Sequence, residues 1–369
     1  MAEVMAGAGA RSPLGLAPLW AGQYGRARTV IRIRILPRFM RLFLLGLLGL
    51  TLILATVWGA MALWYRLPFD GALRTGVAAA FAGLGLATLW AVIRGRALRG
   101  MATFCLALAA VIWWWGTLTP PAEANWSPDV ARQVTGEIKG DQLTLTDVRN
   151  FDWRTPQDFT PRWETRSYDL SQVQTVDLFM SYWAGPEMAH MIVSFGFADG
   201  AQIAWSVEVR RQVGGGFSPI ADLFKTNTLV LVAADERDLV GTRTNARGED
   251  VQLFRIDTDP DTARALLLQY VEAANQLAAQ PQWYNSLTSN CTTVVMTMIR
   301  TIVEDVPLDW RVLANGYLPE YAHDQGVLAA GYSTEELRER GSITAKAQAQ
   351  GITQDYSALI REGVPAPAP

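Results

Sequence analysis

Cysteine and histidine are scarce in this chain of 369 residues, which contains two of each. The cysteines are Cys105 and Cys291, and the histidines are His190 and His323. Zinc sites draw on these residue types, so the sequence predicts no metal site. It also has no Walker or dinucleotide glycine motif, and we expect no cofactor. The net charge of −3 lacks the basic excess that is typical of nucleic-acid-binding proteins, which excludes that class.

Acidic residues are absent between Arg26 and Arg41, a stretch that contains several arginines. Residues 1–25 are rich in Ala, Gly and Pro and show no periodicity. We expect residues 1–41 to form a disordered, basic N-terminus. Arginines just before an apolar run are typical of the cytoplasmic flank of a membrane span.

Charge is missing from three long runs within residues 42–118. Each run is long enough to cross a bilayer as a helix. The predicted spans are 42–64, 75–93 and 101–118. Arginines at 94–99 and before residue 42 outnumber Arg66 and Arg74, so three crossings would put the rest of the chain outside the inner membrane. We therefore expect a multi-pass protein of the bacterial inner membrane with a C-terminal periplasmic domain. The third run is short, which leaves open two spans and the opposite placement.

The composition becomes that of a soluble domain after Pro120, and we assign this domain to residues 122–360. Alternating and apolar runs predict an antiparallel sheet first and helices later, an α+β fold. Predicted strands cover 142–148, 168–180, 189–197, 201–210, 228–233 and 251–256, with an amphipathic helix over 261–279. Asp235 to Asp238 indicates a turn with internal salt bridges. Residues 361–369 are predicted to be a disordered tail.

The two strands 189–197 and 201–210 can be aligned as a hairpin. A three-residue loop, Ala198 to Gly200, pairs Val193 with Trp205 and makes one face wholly apolar. The same register brings Glu208 next to His190.

Cys291 precedes an apolar run typical of a buried helix. Ser289 and Asn290 are both favourable N-cap residues, and a helix that starts there would place the sulfur in its first turn. Unpaired backbone N–H groups and the helix dipole stabilise a thiolate there. A small buried cysteine at a helix start is the plainer interpretation of this segment by itself.

A cysteine nucleophile needs a base and a group that orients the base. The candidates are Cys291 as nucleophile, His190 as base and Glu208 as orienting group, with His323 as a rival base. The Cys291 backbone N–H, with the side chain of Asn290 or Tyr182, would bind an oxyanion. Tyr284 and Asn285 are further candidate substrate-binding residues, and Asn285 is an alternative orienting group.

Several blocks of the domain resemble the Lnb-type N-terminal periplasmic domain family. They are Arg149-Asn150-Phe151, Ala189-His190, Ser206 to Arg211, Asp235 to Asp238 with Arg243, Tyr284-Asn285 with Asn290 to Thr293, and Asn315-Gly316-Tyr317. The resemblance covers roughly residues 125–330. It implies a permuted papain-like fold, with Cys291 as nucleophile and His190 as general base.

The resemblance also implies an activity, lipoprotein N-acylation, in which a cysteine passes an acyl chain from a phospholipid to a lipoprotein's α-amine. The expected partners are therefore a membrane phospholipid and a lipoprotein or peptide acceptor. Characterised members carry C-terminal membrane segments, whereas the spans here precede the domain. Two alternatives remain: a cysteine peptidase or amidase acting on peptide or cell-wall amides, and a non-catalytic envelope scaffold.

Overall fold

The computed structural model describes residues 37–368 and begins with three long apolar helices. They are α1 (Arg38–Arg66), α2 (Gly71–Ile93) and α3 (Ala97–Thr117). With 29, 23 and 21 residues, all three are long and apolar enough to cross a membrane. The predicted disordered N-terminus lies outside the described residues up to residue 36. The last residues of that predicted segment, Arg38 to Arg41, are instead helical. They form the first turn of α1, which begins before the uncharged run at residue 42.

Within the described residues, the chain divides into two units between Thr51 and Leu52. The second unit contains the later part of α1, all of α2 and α3, and the domain that follows. Within it, α1 and α2 approach closely at two glycines. A Cβ atom at Gly59 would lie 2.4 Å from the Phe81 ring, and one at Gly85 would lie 2.1 Å from Thr56 Oγ1. Small residues allow such close packing between apolar helices.

The α+β domain is built on an eight-stranded, mostly antiparallel sheet. Its strands are β1 (Thr135–Lys139), β2 (Gln142–Arg149), β5 (Trp163–Asp169), β6 (Val173–Tyr182), β7 (Ala189–Phe197), β8 (Gln202–Arg210), β9 (Thr228–Ala234) and β10 (Asp250–Ile256), while β3 (Asp152–Trp153) and β4 (Phe159–Thr160) form a separate ribbon. The order across the sheet is β1-β2-β9-β8-β7-β6-β10, with β5 also paired to β2. The β2–β9 pair is parallel, and the other pairs are antiparallel.

Helices cover both faces of this sheet. They are α4 (Glu236–Gly241), α5 (Pro260–Ala279), α6 (Cys291–Ile302), α7 (Leu318–Asp324), α8 (Thr334–Gly341), α9 (Thr344–Gln350) and α10 (Tyr356–Leu359). On one face α5 and α6 pack on the sheet, with the rings of Trp205 and Tyr270 5.4 Å apart. On the other face α4, α9 and α10 bury residues such as Ile192 and Tyr356. The predicted α+β class is confirmed.

The β7–β8 hairpin has the predicted register. Val193 lies opposite Trp205 and Phe195 opposite Ile203, and the Phe197 N–H donates to the Ala201 carbonyl. Because side chains alternate along a strand, this register sends the apolar set to the face covered by α5 and α6. It also aligns the start of β7 with the end of β8, where the candidate site lies.

The segment Asp235 to Asp238 was predicted to be a turn, but it starts the helix α4, and its carboxylates form salt bridges. Asp235 pairs with Arg166 at 2.6 Å and Asp238 with Arg149 at 2.9 Å. Glu236 pairs with Arg361 at 2.5 Å. The packed domain thus extends past the predicted start of the tail at residue 361, because Arg361 neutralises buried carboxylates and Val364 is buried as well.

Candidate active site

Cys291 is the first residue of α6, as the sequence predicts. The Asn290 side-chain oxygen accepts hydrogen bonds from the Thr292 and Thr293 N–H groups, both at 2.9 Å. The Thr293 hydroxyl in turn accepts from the Asn290 N–H at 2.9 Å, which completes a capping box. Cys291 is buried, 7% exposed. The cap therefore fixes the sulfur at the positive end of a well-formed helix.

His190, at the start of β7, is oriented by two side chains of β8. Its Nε2 atom lies 2.7 Å from Ser206 Oγ and 3.1 Å from Glu208 Oε1. Ser206 donates to Glu208 Oε1 at 2.8 Å. Cys291 and His190 line the same cavity, and His190 lowers the pKa of the Cys291 thiol. The expected pairing of His190 with Glu208 is observed, and it brings Cys291 into the same network.

Arg243 also holds Glu208, at the same carboxylate oxygen that His190 contacts. Its guanidinium donates to Glu208 Oε1 at 3.0 Å and to Glu249 Oε2 at 3.2 Å. Arg243 lies on a π-helical turn, Thr242–Ala246, that continues α4. The wider turn changes the direction of the side chains, and such turns are frequent at functional sites. The carboxylate of Glu208 is therefore anchored between a cation and the imidazole.

The charges of this cluster stabilise a thiolate–imidazolium pair. Burial raises the pKa of Cys291, but hydrogen bonding and charge from His190 outweigh it and lower the pKa overall. Burial and Arg243 lower the pKa of His190, whereas Glu208 and Cys291 raise it, and the net direction is upward. Burial opposes ionisation of Glu208 too, yet His190 and Arg243 hold the pKa of Glu208 well below its ordinary value. Perturbed groups of this kind are typical of functional sites.

Asn315 supports the cysteine from a third direction, which the sequence analysis did not assign. Its side-chain nitrogen donates to the Ala189 carbonyl at 2.6 Å and to Thr292 Oγ1 at 2.8 Å, and it lies 3.8 Å from Cys291 Sγ. An amide nitrogen has two hydrogens, and both are used, so Asn315 joins β7 to the first turn of α6. The signal in the sequence was the pair Asn315-Gly316. A Cβ at Gly316 would lie 1.9 Å from the Pro186 carbonyl oxygen, so this approach requires glycine.

The network opens into a cavity of ≈ 740 Å³. One part of its lining is charged, with Arg149, Arg211, Arg243 and Arg247 among the basic residues. Another part is apolar. It consists of Trp183, Met188, Phe217, Ile220, Leu223, Tyr284, Leu287, Val312 and Leu313, among others. Cys291 and His190 thus face a space with both an apolar and a charged wall.

The other predicted site residues are only partly brought together. Tyr284 and Asn290 line the cavity. The Asn290 oxygen caps α6, and its amide nitrogen donates one of its two hydrogens to the Ser286 carbonyl at 2.8 Å. Asn285 lies outside the lining and uses its side-chain oxygen to accept from Leu287 and Thr288 N–H groups.

Tyr182 and His323 also lie away from Cys291. Tyr182 lines a separate cavity, where its hydroxyl donates to the Gly316 carbonyl at 2.8 Å and contacts Arg338 at 2.7 Å. His323 Nε2 lies 3.0 Å from the Tyr332 carbonyl and does not line the cavity of Cys291. The structure therefore assigns Tyr182 no contact with the nucleophile and separates His323, the rival base, from it. Within residues 37–368, no group of three His, Cys, Asp or Glu side chains is arranged to hold a metal ion.

Comparison with known families bears on the part of the domain that carries this network. Residues 159–316 match the model of the Lnb N-terminal periplasmic domain. The resemblance expected from the sequence is confirmed over that range, which includes His190, Glu208 and Cys291. No curated protein and no solved structure matches the chain. The Lnb-type domain here follows three apolar helices that are long enough to span a membrane.

Proposed function

We propose that this chain is a membrane-anchored, cysteine-dependent acyltransferase or lipid-directed hydrolase with a permuted papain-like domain. It would act at the periplasmic face of the bacterial inner membrane. The observation that carries the proposal is the thiol of Cys291, held at a helix N-terminus in the same cavity as His190, whose Nε2 contacts Ser206 and Glu208. Nucleophile, base and orienting group are the parts that covalent acyl transfer needs.

The first step would form a thioester. The Cys291 thiolate attacks the carbonyl carbon of an ester, and the C–S bond forms as the carbonyl electrons move to oxygen. When the tetrahedral intermediate collapses, the C–O bond breaks and His190 gives its proton to the departing alcohol. In the second step an amine attacks the thioester and His190 accepts its proton. The products are an amide and the free thiolate of Cys291. Because His190 now carries the proton taken from the amine, the thiolate–imidazolium pair is restored.

The oxyanion would be bound by the Cys291 backbone N–H. In residues 37–368 this N–H has no hydrogen-bond acceptor, since the cap satisfies Thr292 and Thr293 instead. An unsatisfied N–H at a helix N-terminus stabilises negative charge that develops next to it. The second hydrogen of the Asn290 amide nitrogen is a further candidate donor, since Asn290 lines the same cavity, whereas the Tyr182 hydroxyl is engaged elsewhere.

The apolar cavity wall favours a lipid over a peptide as acyl donor. The resemblance implies a phospholipid donor and, as acceptor, the α-amine of a lipoprotein's N-terminal cysteine. A peptidase or amidase would use the same network on a polar chain. A scaffold would not need a lowered pKa at Cys291.

Intact mass of the detergent-purified chain after incubation with phospholipid tests the proposal. We expect a hydroxylamine-labile acyl mass in the Cys105→Ala background and none in Cys291→Ala or His190→Ala. If no adduct forms while Cys291 is still alkylated faster than in His190→Ala, the peptidase or amidase function becomes the better one. A sluggish thiol in every form would instead favour the scaffold.

A further inference from the structure

Six large apolar side chains surround the mouth of the catalytic cavity and are solvent-exposed. We call them the apolar rim: Trp183, Met188, Phe217, Ile220, Leu287 and Leu313. Ile220 is 54% exposed, Leu287 56% and Leu313 64%. They come from four separate connections, after β6, between β8 and β9, before α6 and after α6. An exposed apolar patch assembled from distant segments marks an interaction surface.

Two of these segments are fastened to the ends of the apolar helices. In the β8–β9 connection, Lys225 Nζ donates to the Trp115 carbonyl at 2.8 Å, and the Phe224 ring stacks on Tyr65 at 5.4 Å. In the segment before α6, Trp283 Nε1 donates to the Leu118 carbonyl at 3.3 Å. The contacts reach the C-terminal ends of α1 and α3, which lie on the same side of a bilayer if α1, α2 and α3 each cross it.

Chain length then limits the height of the rim above the membrane. Ile220 precedes the anchored Phe224 by four residues, and Leu287 follows the anchored Trp283 by four. Four residues span at most about 14 Å. The headgroup region on one side of a bilayer is roughly 5–8 Å thick beyond the hydrocarbon. Exposed Ile and Leu side chains so close to helix ends are therefore within reach of the acyl chains.

We propose that the apolar rim dips into the leaflet on the domain's side and admits the acyl chain of a membrane lipid from the bilayer to Cys291. The proposal rests on the proposed function for the use of that chain, while the membrane contact stands on the geometry alone. Aromatic contacts continue the path inward, from Trp183 to Phe217 at 5.9 Å and from Phe217 to Tyr284 at 6.3 Å. Tyr284 lines the cavity together with Cys291.

Depth-dependent quenching tests the membrane contact without any activity. In a Cys105→Ala, Cys291→Ala background, Ile220→Cys and Leu287→Cys are each labelled with NBD and placed in phosphatidylglycerol–phosphatidylcholine nanodiscs that contain doxyl lipids. The control is Ala198→Cys, exposed at the tip of the β7–β8 hairpin, at the opposite end of these strands from His190. We expect at least twofold quenching at the rim and none at position 198. Quenching no greater than the control would overturn the inference.

A matched pair of substitutions tests the entry of the acyl chain. Ile220→Asp puts a charge on the rim, and Ile138→Asp puts one on a similarly exposed isoleucine of β1 outside the cavity. We expect Ile220→Asp to lower the ratio of acyl transfer from bilayer phospholipid to transfer from a water-soluble p-nitrophenyl ester at least tenfold, and Ile138→Asp to leave it unchanged. An unchanged ratio in both variants would overturn the inference. Absence of any acyl adduct in the parent chain would contradict the proposed function instead, whatever the quenching shows.

Discussion

The charge state of the Cys291 thiol depends on side chains that reach it directly or through His190. The imidazole contacts the sulfur, Glu208 contacts the imidazole, and Arg243 contacts Glu208. The side chains of His190, Glu208 and Arg243 are mostly buried, so each charged or polar group needs a neighbouring one as its partner. The pKa of Cys291 falls and that of His190 rises because both charged forms are paired. Reactivity at neutral pH is therefore a property of the whole chain of contacts.

Replacing His190 with alanine tests this coupling. In His190→Ala, burial would still raise the pKa of Cys291, but the positive charge of His190 that lowers it would be gone. We therefore expect the pKa of Cys291 to rise above its value in the parent. Each unit of that rise lowers the thiolate fraction at pH 7 about tenfold. The rate of iodoacetamide alkylation between pH 5 and 10, followed by mass in a Cys105→Ala background, measures it. Superimposable pH profiles would contradict the coupling.

Glu208→Gln should act on His190 and not on the fold. The substitution preserves shape but removes the charge that raises the pKa of His190, so that pKa falls. In the proposed mechanism protonated His190 expels the alcohol, and this form is lost as pH rises through the pKa of His190. The alkaline limb of thioester formation should therefore move to lower pH, with a smaller loss of rate than the roughly 10²-fold or more expected for His190→Ala. A uniform loss at every pH would indicate a purely structural role.

The first turn of α6 shows how a helix start creates a site. Asn290 caps the helix, Cys291 follows it, and Asn315 ties the turn to β7. The cap has a counterpart at Ser333, which forms the same capping box at the start of α8. Neither Ser333 nor any residue of α8 lines the cavity of Cys291. Substitutions at the two caps can therefore distinguish the effect of a cap on helix stability from its effect on the Cys291 thiol.

Asn290→Ala and Ser333→Ala should have similar effects on stability and different effects on reactivity. Each removes an N-cap and should destabilise the protein by about 1 kcal/mol. In Asn290→Ala the first turn frays, so we expect the pKa of Cys291 to rise and alkylation at pH 7 to slow. Thermal unfolding in detergent and alkylation rates measure the two effects. Slowing in Ser333→Ala as well would show that the rate follows global stability.

Elements with a strong local pattern could be predicted from the sequence. The helix 261–279 was expected and α5 covers Pro260–Ala279, because Asp259 caps it and Pro260 occupies its first turn. Strand β5, Trp163–Asp169, was not identified separately, since its charged residues give little apolar alternation and its pairing with β2 decides its structure. Helix α9, Thr344–Gln350, was also missed, because it is short and lacks a side-chain cap.

Long-range contacts decide what the sequence could not predict about the site. Local register placed Glu208 beside His190, and capping placed Cys291 at a helix start. Nothing in the spacing fixed the meeting of His190 with Cys291, which are 101 positions apart in the printed numbering. Ser206 was overlooked because a serine on a strand carries no chemical signal until its neighbours are known. The predicted oxyanion role of Tyr182 also depended on neighbours that the sequence does not reveal. Its hydroxyl accepts a hydrogen bond from Arg338 in another cavity.

A buried ion cluster around Arg361 ties α4 and the C-terminal segment to one face of the sheet. Its guanidinium donates to Asp177 on β6 and to Glu236 on α4, both with fully buried side chains. Burial raises the pKa of Asp177, and in Glu236 the effect of burial is outweighed by Arg361, which lowers the pKa. Removing one partner of such a cluster leaves a charge without compensation.

Arg361→Met should lower the free energy of unfolding at pH 7 by about 3–5 kcal/mol. The Glu236 pKa is depressed in the fold, so its contribution is present above the unfolded carboxyl pKa and lost as pH falls through the folded value. The deficit should therefore shrink below about pH 4.5. Unfolding midpoints of the full chain at pH 7 and pH 4 check this. Arg154→Met, which removes an exposed partner of Asp158, is the control and should not change the midpoint.

The position of Arg361 also bears on the order in which the polypeptide is made. Among residues 37–368, Arg361 is the one cation within ion-pair distance of Glu236, and 125 positions separate the two. Until synthesis has passed residue 361, the segment around α4 holds a carboxylate that has no counter-ion in the folded arrangement. In the proposed periplasmic placement, closure of that side of the sheet would be disfavoured until the chain up to residue 361 had been exported. A stabilising contact that becomes available late would then suit a domain that crosses a membrane before it folds.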